Sequence, residues 1–190
     1  MNSLKEQILS QASIIVGNGN FSPGANERIE RTRNVADTFI DSVMEDMFLA
    51  VGWGFAIRCF SNPDNIRNQG EFTTTSIKDC LKVVSIVPGI CQWYILNEEL
   101  FFKGADLERA FYFSGERIRS LITKTSTEHT FKIPFSYISL CGLALASEIT
   151  HSIHSESVFT DGLKAQYLRK LKETREIHQF DYNIENAATF

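Results

Sequence analysis

The chain has 190 residues, of which 43% are hydrophobic, 12% aromatic and 22% charged. That composition supplies a packed core and excludes a disordered chain. A formal net charge of −4 gives a field of the wrong sign for nucleic acid or an anionic membrane surface, and no run approaches the ~20 apolar residues of a membrane helix.

The first residues, MNSLKEQILSQ, carry Lys5 and Glu6 before only short apolar runs and do not read as a signal peptide. Ser3 with Glu6 makes a capping box, opening a short helix through Leu4, Ile8, Ala12 and Ile15. Residues 17–26, GNGNFSPGAN, form a loop. Its GxG lacks both the GK[ST] ending of a phosphate loop and a preceding strand. Residues 26–56 hold the longest patterned segment, with Asn26 as its cap and apolar steps of three or four from Ala36 to Val51. Phe39, Val43 and Met47 are expected in its buried stripe. Gly52-Trp53-Gly54 ends or kinks this helix, and FAIRCF after it fits a last turn or a short strand.

Residues 61–70 form a second loop. Ser76 and Asp79 resemble a capping box for a helix through Ile77, Cys80, Leu81, Val84 and Val87. Residues 90–102 mix strand-like ICQWYIL with the more helical NEELFFK. Asp106 caps a predicted helix carrying Leu107, Ala110, Phe111, Ile118 and Leu121, with Gly115 as a weak point inside. Pro134 leads into an apolar helix over 135–153. A final helix over 157–178 has a narrow stripe of Phe159, Leu163, Tyr167, Leu171 and Ile177. Seven helical candidates predict an all-α fold, a single-domain multi-helix bundle around the long helix, over residues 1–178. Residues 179–190 are expected as an extended segment, with Phe180, Tyr182 and Ile184 on one side. The alternative is α+β, with a small sheet from 55–60, 90–96 and 130–137.

No catalytic motif stands out. Ser114-Gly115 lacks a nucleophile elbow. Cys59, Cys80, Cys91 and Cys141 show neither CxxC nor zinc spacing and read as buried free thiols in a reducing, cytoplasmic setting. Glu148, His151 and His154 step by three along one helix, a single ExxH-type set that could ligate a metal. Asp37, Asp41 and Glu45 make an acidic ridge on a helix whose start is basic, at Arg28, Arg31 and Arg33. Lys164, Arg169, Lys170, Lys172 and Arg175 make the last helix the candidate for nucleic acid. Trp93, Tyr94, Phe101, Phe102, Phe111, Tyr112 and Phe113 are a dense aromatic cluster, either core, pocket or interface. On a helix, Phe111, Tyr112 and Phe113 point three ways, so one ring is expected to leave the core.

These features lead to an interaction or assembly subunit that is cytosolic, non-enzymatic and oligomeric. Self-association is its expected partnership. The partner-binding residues are Asp37, Asp41, Glu45, Phe111, Tyr112, Phe113, Phe180, Tyr182 and Phe190. No cofactor is called for, and no membrane. The alternatives are a helical enzyme or sensor with a metal or small ligand, and a nucleic-acid-packaging subunit of coat or nucleocapsid type.

Overall fold

The computed structural model describes residues 3–17, 27–61, 67–69, 71–87, 92–103, 107–123, 132–154 and 158–178. Its elements in chain order are α1 (Leu4–Val16), α2 (Glu27–Ala50), β1 (Ile57–Ser61), β2 (Arg67–Gln69), β3 (Phe72–Ser76), β4 (Cys80–Val87), β5 (Gln92–Leu96), β6 (Glu99–Lys103), β7 (Arg109–Ser114), α3 (Gly115–Thr123), α4 (Phe135–His154) and α5 (Val158–Ile177). The all-α helical bundle expected from the sequence is therefore overturned, and the α+β alternative fits. The chain divides into two compact units. The described residues of the helical unit come from 3–55 and 120–178, and those of the sheet unit from 56–119.

In the helical unit, α1 begins as its capping box requires, with Ser3 Oγ accepting from the Glu6 amide at 3.2 Å. It stops at Gly17, whose φ of 76° lets its amide reach back to the last carbonyls. Helix α2 buries Ala36, Ile40, Val43, Met44, Met47 and Phe48. Phe39 is only half-buried, so the stripe is turned slightly from the predicted one. The hub is α4 rather than the longer α2: α1, α2 and α5 all pack on it. Tyr137, Leu140, Cys141, Leu145, Ala146 and Ile149 of α4 are fully enclosed. Gly142 lets α1 come close, because a Cβ there would stand 2.6 Å from the Gln11 Cβ. Gly142→Leu should drive α1 off α4 and cost about 1–3 kcal/mol or more, the range for overpacking. Urea denaturation would measure this, and an unchanged midpoint would show that α1 yields freely.

The carboxyl end of α2 is closed by one side chain just beyond it and one from far along the chain. Trp53 Nε1 donates to the Met47 carbonyl at 2.8 Å, and Arg175 Nε donates to that of Ala50 at 2.8 Å. Both acceptors belong to the last turn, whose carbonyls have no intrahelical partner. The Trp53 ring is fully buried and meets Tyr137 edge-on at 5.4 Å. His178 stands against it at 4.7 Å.

The sheet unit holds two antiparallel sheets, ordered β1-β7-β4 and β2-β3-β6-β5. One apolar cluster joins them: Val83 and Ile86 of β4 and Ala110 and Tyr112 of β7 meet Leu100 and Phe102 of β6. The predicted helix over 76–87 falls here as a strand, and the one predicted from Asp106 is strand up to Ser114 and helix, as α3, beyond it. The spacing of Ile77, Cys80, Val84 and Val87 fits a helix, but VVSIV is a β-branched run that favours a pleated, packed surface. Residues 109–114 form β7, the middle strand of its sheet, buried on both faces. The turn Asn97-Glu98 joins β5 to β6 with φ of 52° and 62°, the left-handed pair of a two-residue hairpin.

Candidate functional site

Strand β5 lies at one end of its sheet, and β6 is its partner among the described residues. Its sequence, QWYIL, carries no charge and no proline. Trp93, Tyr94 and Leu96 remain 38%, 43% and 55% exposed. Cross-strand register puts Tyr94 opposite Phe101, and the rings stack in parallel, 4.6 Å apart and 5° from coplanar. Phe72 of β3 meets Tyr94 edge-on at 5.3 Å. Two aromatic contacts thus fix the Tyr94 ring before anything binds it. Lys103 and Glu71, paired at 2.7 Å, give this part of the sheet a polar margin.

A second polar centre joins β7 to α3. Asp79, at a φ of 62°, is a capping residue, but of a helix whose second residue, Glu116, lies 37 positions further on. Its Oδ2 accepts from the Ser114 hydroxyl at 2.6 Å and from the Glu116 amide at 2.7 Å. Its Oδ1 accepts from Arg119 at 2.8 Å. Partial burial works to raise its pKa, but the bonds from Ser114, Glu116 and Arg119 prevail and hold it below the usual carboxylate value. Gly115, expected as a weak point within a helix, is the first residue of α3, and a Cβ there would crowd Asp79 Oδ1 at 2.9 Å. This is a helix-capping arrangement, and its Ser114 hydroxyl is spent on Asp79.

A crevice of about 310 Å³ opens between α2, α4 and α5 in the helical unit. Val43 and Met47 of α2 and Ala144 of α4 give it apolar lining. Asp46, Glu148, His151 and Lys164 supply charged or titratable groups. None of these four makes a hydrogen bond or ion pair with another described residue. Among the described residues the Tyr167 hydroxyl makes only a weak contact, 3.9 Å to the Met47 sulfur. Burial raises its pKa, Arg175 opposes that, and the Asp46 and Glu148 carboxylates add to it.

The sequence-derived candidates are distributed as follows. Glu148 and His151 line the crevice, and the side chain of His154 lies outside the described residues. Among the described residues, no three His, Cys, Asp or Glu side chains are grouped to hold a metal ion. In the acidic ridge, Asp41 pairs with Lys5 of α1 at 2.6 Å and Asp37 with Arg33 at 3.7 Å, while Glu45 is exposed. Phe111, Tyr112 and Phe113 are all buried. The expectation that one ring leaves the core fails because a middle strand has two covered faces. Phe180, Tyr182 and Phe190 lie outside the described residues.

The basic residues of α5 do not form one stripe. At about 100° per residue, Lys164, Lys172 and Arg175 share an arc, but Arg169 and Lys170 turn away from it. Arg169 and Lys170 approach Glu173 at 3.9 and 3.7 Å, and Arg175 caps α2. The three described cysteines, Cys59, Cys80 and Cys141, are held toward their neutral thiol form. Burial lifts the Cys80 thiol to about 11 and raises those of Cys59 and Cys141. Cys59 is exposed rather than buried as expected, and Cys91 lies outside the described residues. Nothing in the sequence singles out Leu96 beyond its place in the uncharged run QWYIL. No described helix is long and apolar enough to cross a membrane.

No protein-family model matches the chain, and no curated protein matches it.

Proposed function

We propose that this protein is a non-enzymatic interaction and assembly subunit that self-associates through the β5 edge of its sheet unit. One observation carries this: an uncharged edge strand with Tyr94 and Leu96 exposed on one face and Trp93 on the other. Edge strands are ordinarily guarded by charge, proline or a bulge, because their free amides and carbonyls pair readily with another strand. Residues 92–96 carry neither charge nor proline. Antiparallel pairing of two β5 strands would continue the ladder and bring two copies of the aromatic surface near each other. A five-residue strand alone covers less than the ~800 Å² per partner of a standard interface, so Phe72 of β3, beside Tyr94, belongs to the contact. The free thiols at Cys59, Cys80 and Cys141 support a reducing, cytosolic setting for this assembly.

Sedimentation velocity at micromolar concentration tests the proposal. Wild-type protein is expected to run as a dimer and Leu96→Lys as a monomer. Leu96 is exposed, so the substitution should leave folding stability within about 0.5 kcal/mol. A monomeric wild type, or a Leu96→Lys variant that associates as well as wild type, would end the idea.

A further inference from the structure

We propose that the crevice between α2, α4 and α5 binds a basic α-amino acid, with its two cationic ends on Asp46 and Glu148 and its carboxylate on Lys164. The site has two carboxylates and one ammonium. Free lysine or arginine mirrors that count, with two cationic groups and one carboxylate. Asp46, Glu148 and Lys164 come from three different helices and none is neutralised by a described neighbour. Three solvated groups on three separate surfaces would need no explanation, but these line one crevice. The Tyr167 hydroxyl lies in the field of both carboxylates and, among the described residues, makes a weak contact to the Met47 sulfur alone. It can accept from an ammonium, a stronger bond than the one it makes. Val43, Met47 and Ala144 offer an apolar track for the methylenes of the ligand.

Size supports the same class. Pockets for drug-sized ligands run from about 300 to 1,000 Å³, and this one, at about 310 Å³, suits a compact molecule better than a dinucleotide. His151 lies one turn beyond Glu148 on the same face of α4 and adds an imidazole at the rim.

Calorimetric titration of the full chain with L-lysine and L-arginine is the test, with putrescine and L-glutamate as comparisons. Saturable one-to-one binding of lysine or arginine is expected, with putrescine weaker and glutamate silent. Asp46→Asn and Glu148→Gln should each weaken lysine binding by about tenfold. Lys164→Gln should weaken lysine by a similar factor and leave putrescine unchanged, because putrescine has no carboxylate. These side chains are exposed, and circular dichroism verifies that each variant folds. Should one fail, the other two carry the same test from different helices. Absence of saturable heat at millimolar ligand would overturn the proposal. Lysine affinity unchanged in the Asp46→Asn, Glu148→Gln double variant, or putrescine binding as tightly as lysine, would do so equally.

Discussion

Replacing Trp53 with alanine is expected to cost about 3–5 kcal/mol of folding free energy, the range for deleting a fully packed aromatic side chain. The ring is entirely buried, with Phe55, Tyr137 and His178 around it at 5.8, 5.4 and 4.7 Å. Its indole N–H also satisfies the Met47 carbonyl. Truncation therefore opens a cavity and leaves a buried acceptor without its donor. Against a typical domain stability of about 5–15 kcal/mol, this is a large fraction. Trp53→Phe separates the two contributions: it keeps most of the packing and loses the donor, so it should cost less. Urea titration followed by far-ultraviolet circular dichroism measures both variants. A Trp53→Ala loss below about 1 kcal/mol would contradict a packed ring.

Asp79→Ala should cost about 3 kcal/mol. Hydrogen bonds to an ionised group contribute about 1.5–3 kcal/mol each, without strict additivity. Two of the three partners matter most. The Ser114 hydroxyl is fully buried and would be left without its acceptor, and the Glu116 amide is one of the orphan donors of α3. Arg119 is largely exposed, so its ion pair with Asp79 adds little. The pH dependence has a definite sign. The Asp79 carboxyl is held below its ordinary value of 3.8, so its stabilisation is fully present above that value and is lost as pH falls through the folded-state value. Wild-type protein should lose stability on acidification below about pH 4, and Asp79→Ala should lose less over the same window. Parallel acid profiles for the two proteins would show that Asp79 carries no such linkage.

The helices α1, α4 and α5 were legible because their signals are local. Ser3 and Glu6 are three residues apart, Pro134 directly precedes α4, and apolar residues recur within each segment. In the sheet unit the alternative strands at 55–60 and 90–96 match β1 and β5, but the rest was not legible because its decisive contacts are distant. Asp79 looked like the start of a helix at its own position and instead caps one beginning at Gly115. Strand β7 shows no alternation, because both of its faces are covered. The hairpin turn Asn97-Glu98 takes left-handed backbone at both positions without a glycine to announce it. The crevice was legible in part. Glu148 and His151 share a face of one helix, which spacing shows, but Asp46, Lys164 and Tyr167 join them only once α2 and α5 are packed on α4.

The position of α4 in the chain has a consequence for biosynthesis. Helices α1 and α2 pack on α4 far more than on each other, yet the described residues of the sheet unit all lie between α2 and α4. At translation rates of roughly 5–20 residues per second, the partner of α2 leaves the ribosome on the order of ten seconds after α2 itself. Throughout that interval Ile40, Met44 and Phe48 have no α4 to cover them. The nascent chain thus carries its first apolar stripe uncovered past a sheet that can begin to fold before it. Chaperone dependence should accordingly concentrate in the time before Tyr137 and its neighbours emerge.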